Sequence, residues 1–191
     1  MKDRQPKHRQ AARERARLDR WAASRAGLPT ALIVCEGRCT EPYYLGGLLE
    51  HLGVNAANAH IQTGSYKTDA LSLVRDARAR FRSTPEYDHV FVVLDGDQAH
   101  LDEARREAGK GMAKAGGGRV TVELIVTSPC FEYWLLLHFE YTTRGLRSVE
   151  AVRALEAHLT DYEKGDREIF AKVSGGLAMA EANAAKGIRD I

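Results

Sequence analysis

The run His89-Val90-Phe91-Val92-Val93-Leu94 is β-branched or aromatic almost throughout and leads straight into Asp95-Gly96-Asp97. Continuous apolarity of this kind, without alternation, marks a strand covered on both faces, the pattern of a central parallel strand. A parallel strand needs neighbours reached by crossover connections, so the chain must be of α/β class.

The flanking segments supply those neighbours. Ala31–Cys35 is a short apolar run of buried-strand type. Thr40 is read as the cap of a following helix with Pro42 in its first turn, and Leu45, Leu48, Leu49 and Leu52 as its buried stripe. A weak strand is expected near His60 to Thr63, then a helix with Ala70, Val74, Ala77 and Phe81 on one face that ends at Ser83 to Glu86. Residues 99–114 predict a third helix, Gly116 to Gly118 a loop, and Val120 to Thr127 another strand. The last third predicts helices over 129–139, 148–159 and 174–186, with a polar interruption near Asp161 to Arg167. The expected fold is a mostly parallel sheet with right-handed crossovers and a helical C-terminal part.

At 191 residues, 44% hydrophobic and 28% charged, the chain suits one domain with a real core. Cys35, Cys39 and Cys130 make an odd count and read as reduced thiols, which points to the cytosol. Cys35 and Cys39 lack the partner pair of a zinc site, and Cys130 reads as a buried helix residue rather than a nucleophile. The densest apolar runs, near Leu32 to Cys35 and Trp134 to Leu137, are too short to span a bilayer, so no membrane contact is expected. The formal charge is only +2, but it is uneven. Lys2, Arg4, Lys7, Arg9, Arg13, Arg15, Arg17, Arg20 and Arg25 stand against Asp3, Glu14 and Asp19. Residues 1–27 therefore read as a basic arm, and residues 28–191 as the domain. The arm either attracts phosphate backbone without reading sequence or is a solvated terminal helix; both stay open.

Ligand sites in open α/β sheets lie beyond the carboxyl ends of the strands, and two of those ends are acidic here. One strand ends at Glu36, and the strongest ends in Asp95-Gly96-Asp97. If strand geometry persists through that tripeptide, Asp95 and Asp97 point the same way. Close carboxylates repel, so one takes up a proton or a cation neutralises them, and oxygen ligands favour magnesium, manganese or calcium over zinc. Asp-Gly-Asp alone would be an ordinary turn and cap. Its conjunction with Glu36 argues for metal, because three acids in one crevice are costly without a cation.

The segments Val34-Cys35-Glu36-Gly37-Arg38-Cys39-Thr40-Glu41-Pro42-Tyr43-Tyr44, Val92 to Asp97 and Ser128 to Phe139 resemble, in order and spacing, the three signature blocks of the RloB family. The third block, with its Pro129-Cys130-Phe131-Glu132-Tyr133-Trp134 string, is the most specific. The first two also resemble the TOPRIM pattern, in which a strand-end Glu and an Asp-x-Asp hold metal for phosphodiester chemistry. The resemblance implies a TOPRIM-like nuclease of DNA or RNA. Glu36 would be ligand or proton shuttle, and Asp95 and Asp97 would hold Mg2+ or Mn2+. Enzymes of the overcoming-lysogenization-defect type add acids for a second ion, and the matching residues are Glu41 and Glu132. Topoisomerases sharing the module need a nucleophilic tyrosine on another domain, which this chain does not supply.

Other readings stand beside these. Glu41 and Glu132 both fall in a helix first turn, where the dipole favours an acid, so ligation and capping stay open; Ser128 is the expected N-cap for the second helix and Pro129 its first residue. His138 follows Phe131, Trp134 and Leu135 at helical spacing and reads as a core histidine. Arg38 and Lys164 are the cations that could hold a scissile phosphate; Lys164 lies in a Tyr162-Glu163-Lys164 string resembling a late family motif, or else on a surface loop. Gly96 departs from the family, where a charged residue is common between the aspartates, and the chain ends at Ile191, seemingly short of the family's usual C-terminal stretch. The resemblance further implies a phage-defence setting with an RloA-type ATPase partner. A homo-oligomer is left open, as is a non-catalytic module that binds metal, nucleic acid or an effector.

Overall fold

The computed structural model describes residues 29–64 and 69–189; the basic arm lies outside them. Four strands, β1 (Ala31–Cys35), β2 (Ala59–Thr63), β3 (His89–Asp95) and β6 (Val122–Thr127), form one parallel sheet in the order β2-β1-β3-β6. β3 is paired on both sides, to β1 and to β6, as its unbroken apolarity requires. Two short strands, β4 (Met112–Ala113) and β5 (Arg119–Val120), form a separate antiparallel hairpin. Seven α-helices accompany them among the described residues: α1 (Thr40–His51), α2 (Ala70–Ser83), α3 (Leu101–Ala108), α4 (Phe131–Leu136), α5 (Ser148–His158), α6 (Ile169–Val173) and α7 (Leu177–Arg189). The result is an α/β sheet flanked by helices with a helical C-terminal part, consistent with a TOPRIM-like fold. No helix among the described residues is long and apolar enough to cross a membrane.

Strand alternation divides the core in two. Leu32, Val34, Val90, Val92 and Leu94 face α2 and α3, where Leu73, Val74, Ala77 and Phe81 are almost wholly buried. Ile33, Cys35 and Val93 face the other way, onto Tyr44 of α1, Phe131 and Leu135 of α4, Leu155 of α5 and Ile169 of α6.

Several local expectations are corrected. The helix expected over 99–114 stops at Ala108, because Gly109 and Gly111 weaken its continuation and Met112–Ala113 instead pairs with Arg119–Val120. That hairpin turns through Gly117 and Gly118, at φ +90° and +84°. The strand expected over 120–127 accordingly splits at Thr121. Thr40 does not cap α1: Cys39 takes that position, and the Thr40 hydroxyl accepts the Gly165 N–H at 3.1 Å. Leu52 is 61% exposed, and the deepest α1 side chain is Tyr44. Ser128 and Pro129 lie before α4, joined by a cis peptide bond, and an extended Cys130 is the N-cap.

Candidate acidic active site

Because β1 and β3 are neighbours in register, their carboxyl ends lie side by side. Glu36 continues β1 by donating its backbone N–H to Val93 O at 2.9 Å. Its carboxylate bends across to accept the Asp95 N–H at 3.0 Å and the Gln98 side-chain amide at 2.6 Å. Burial is the main cause that raises the Glu36 carboxyl above the ordinary range, although these two bonds oppose it.

Asp95, the last residue of β3, is the centre of the cluster. Its carboxyl is pushed up to about 7, first by burial and then by Glu36, Glu41, Glu132 and Asp97 in that order. The four other acids singled out from the sequence thus all bear on Asp95. Asp95 Oδ1 is also buried without a hydrogen-bond partner, alone among carboxylate oxygens of the described residues. An unpartnered buried carboxylate oxygen is costly, and more donors or a cation would relieve it.

Glu41 enters from the first turn of α1 and is only 8% exposed. Burial raises its carboxyl most, with Glu132 and Glu36 adding to the effect. Gly37 makes room for it, since a Cβ there would lie 1.9 Å from Glu41 Oε2. Glu132, in the first turn of α4, is 4% exposed and accepts the Tyr162 hydroxyl at 2.9 Å.

The Asp95-Gly96-Asp97 tripeptide does not continue as a strand. The ladder stops at Asp95, Gly96 donates its N–H to Thr127 O at 2.7 Å, and the chain turns. Asp97 is exposed and accepts the Ser148 hydroxyl at 3.1 Å, at the start of α5. Gly96 is explained by close approach: a Cβ there would lie 2.8 Å from the Ser128 Cβ. The larger residue common between the family's aspartates would therefore have to displace Ser128 or the turn.

Few cations reach this crevice. Lys164 Nζ lies 3.8 Å from Glu132 Oε1, and its side chain is 80% exposed. Arg38 is exposed on the loop after β1. Cys35 and Cys130 are buried thiols pushed up to about 12, chiefly by burial, which makes neither a thiolate at neutral pH; Cys39 is exposed, and all three are free. His138 is 1% exposed, bonded to Trp134 O at 3.1 Å and to the Tyr44 hydroxyl at 3.0 Å, and burial lowers its imidazole, so it is a neutral core residue.

Sequence reasoning missed Gln98, Ser148 and Gly37. Gln98 stands three residues beyond Asp95 and was open to notice, whereas Ser148 is brought in by folding alone. The donor set, five carboxylates and no imidazole or thiolate, fits a hard divalent cation. Among the described residues no three such side chains already close around a single point; Glu36 spends both oxygens, and Asp97 and Glu132 one each, on protein donors. A family model described as RloB-like protein matches residues 31–189. No curated protein and no solved structure matches.

Proposed function

The chain belongs to the RloB-like protein family, and on that premise we propose that it is a nuclease that hydrolyses phosphodiesters of DNA or RNA with Mg2+ or Mn2+. The observation that carries this reading is Asp95, a half-buried carboxylate with one buried, unpartnered oxygen and four acids around it. Such a site is destabilising in a protein that has no use for a cation.

Asp95, Glu36 and Asp97 would hold one ion, and Glu41 and Glu132 would extend the set to a second. Bound ions of this kind supply an activated water and charge stabilisation at the attacked and leaving oxygens. Glu36, whose two oxygens are oriented by the Asp95 N–H and Gln98, would be either ligand to that ion or proton acceptor. Lys164, beside Glu132, and the exposed Arg38 would offset the negative charge of an incoming phosphate. Control by an RloA-type ATPase partner belongs to the same proposal and rests on family association. The second reading, a non-catalytic metal- or effector-binding module, draws on the protein donors that already engage Glu36, Asp97 and Glu132.

Incubation of the purified chain with plasmid, single-stranded DNA and transfer RNA, with magnesium or manganese and with the partner ATPase, separates the two. The nuclease reading expects metal-dependent cleavage that Asp95→Asn abolishes. It also expects a metal-dependent thermal shift that Asp97→Asn largely loses, because an ion bound only to the folded state stabilises it by mass action. No cleavage with the activated partner present would leave the non-catalytic reading. Equal thermal shifts in wild type and Asp97→Asn would remove Asp97 from the metal set.

A further inference from the structure

A cavity of about 670 Å3 lies next to the acidic crevice on the same face of the sheet. Its floor is Val93 of β3 with Ile125 and Thr127 of β6, and its walls include Tyr44, Trp134 and Ile188. The two features are contiguous along three elements. On β3, Asp95 belongs to the crevice and Val93, two residues back on the same face and about 7 Å away, belongs to the cavity. On β6, Thr127 pairs in register with Asp95, and Ile125 with Val93. On α1, Glu41 reaches the crevice, while Tyr44 and Leu45, on the same helical face, reach the cavity.

The size is that of a small-molecule site, and the lining is mostly apolar and aromatic, with a few polar groups. Trp134 is half-buried against Tyr44 and His138, edge to face with both. Thr127 and Ser128 lie between the cavity and the Asp95-Gly96 turn, and Arg144 stands exposed at the mouth. Asn183 lines the opposite wall, where its amide nitrogen donates to Leu137 O at 2.9 Å and leaves its carbonyl oxygen as an acceptor. The exposed apolar residues Ile125 and Ile188, at 45% and 77%, border the opening.

Resting on the nuclease reading, we infer that this cavity receives one unstacked nucleobase of the strand whose phosphodiester lies over the acidic crevice. The cavity is a nucleotide's reach from Asp95, its half-buried Tyr133 and Trp134 are rings of the kind on which bases stack, and its few polar groups suit a base edge. A base held there fixes the scissile phosphate by its own sugar and restricts cleavage to unpaired nucleotides. A base inside a duplex cannot enter without being flipped out.

The test reads Trp134 emission, which stands alone once Trp21 is replaced, since the chain has two tryptophans. The Trp21→Phe chain is titrated, without divalent metal, with a single strand of about ten nucleotides and with an abasic strand carrying the same phosphates, in ribose and deoxyribose forms. The base-bearing strand should quench at a concentration lower by about tenfold or more. Gly187→Phe fills the cavity from α7, where an added Cβ meets nothing within 4 Å. It should bring the two strands to parity while leaving the magnesium-dependent thermal shift in place. Parity in the Trp21→Phe chain itself needs no further variant and would overturn the assignment. So would an unchanged preference in Gly187→Phe, or quenching by an alkyl glycoside or apolar peptide where the strand has no effect. Base-dependent quenching without metal-dependent cleavage would keep the cavity and remove the hydrolysis. Cleavage indifferent to the base would do the reverse.

Discussion

The two faces of the sheet treat buried charge in opposite ways. On the α2–α3 face the buried charge is Arg78, 6% exposed, and it has a counter-ion: its Nε makes no hydrogen bond but lies 3.0 Å from Glu107 Oε1, and its Nη1 donates to Glu107 O at 3.3 Å and to Lys110 O. On the other face the apolar core runs up to Asp95, Glu41 and Glu132, where the mostly exposed Lys164 offsets Glu41 and lies 3.8 Å from Glu132, while four acids act on Asp95. A paired buried charge ties elements together; buried charges of one sign oppose the fold until something neutralises them. One face is built to be stable, and the other holds an electrostatic load that a ligand can release.

The largest effect expected from this contrast is at Arg78. Arg78→Met keeps the aliphatic packing but takes the guanidinium donor from Lys110 O and leaves the Glu107 carboxylate with Lys110 Nζ, at 2.6 Å, as its counter-ion, and should lower unfolding stability by about 2–4 kcal/mol. Urea melts with and without magnesium should show the same loss, because the residue lies across the sheet from the acids. A loss that magnesium restores would mean the two faces are not separable.

Asp95→Asn should act in the opposite direction. Its carboxyl, pushed up to about 7 by burial first and the four neighbouring acids next, keeps in the folded state a proton that the unfolded chain releases in the ordinary aspartate range. The folded protein therefore binds more protons between about pH 4 and pH 7, and stability falls as pH rises through that window. Above it the metal-free wild type carries the whole penalty. At pH 8, Asp95→Asn should be more stable by about 1–3 kcal/mol, and at pH 4 the difference should vanish. Melting curves across this range decide it; a mutant less stable than wild type at pH 8 would show that Asp95 is held by donors and not strained by neighbours.

A smaller effect is expected at Gly37. Its backbone is not left-handed, so alanine brings no strain, but the new Cβ displaces the Glu41 carboxylate. Metal-free stability should move by no more than about 1 kcal/mol. If Glu41 is a ligand, the magnesium-dependent thermal shift should shrink; if it is only a helix acid, the shift should stay.

The strand run ending in Asp95 was legible because a parallel strand buried on both faces must be apolar at every position, which also fixed its central place in the sheet. The convergence of Glu36 and Asp95 followed from both standing at strand ends. The hairpin at Met112–Ala113 was hidden, because Leu101 to Ala108 is helical by pattern and two-residue strands leave no periodicity. Asp97 was half legible: its nearness to the cluster could be read, but the turn toward Ser148 depends on Gly96 meeting Ser128, a contact between distant segments. The cavity was invisible, since its lining comes from α1, β3, β6, α4, the 143–146 loop and α7, segments that only folding brings together.

The smallest effect resolves what sequence left open for Glu132. The Tyr162 hydroxyl is its hydrogen-bonding neighbour at 2.9 Å, and Tyr162→Phe removes that donor with almost no change of shape. A hydrogen bond to a buried carboxylate stabilises by about 1 kcal/mol, so the metal-free mutant should lose roughly that much. The two roles diverge once magnesium is added. An ion that takes the Oε1 now accepting the tyrosine displaces that bond, so wild type forgoes it on binding and the mutant has none to forgo. Magnesium should then raise the melting temperature of Tyr162→Phe by more than that of wild type, and the two proteins should converge at saturation. A carboxylate serving only the α4 first turn keeps the tyrosine bond whether or not an ion is present. The deficit would then be the same at every magnesium concentration, and Glu132 Oε1 would leave the metal set.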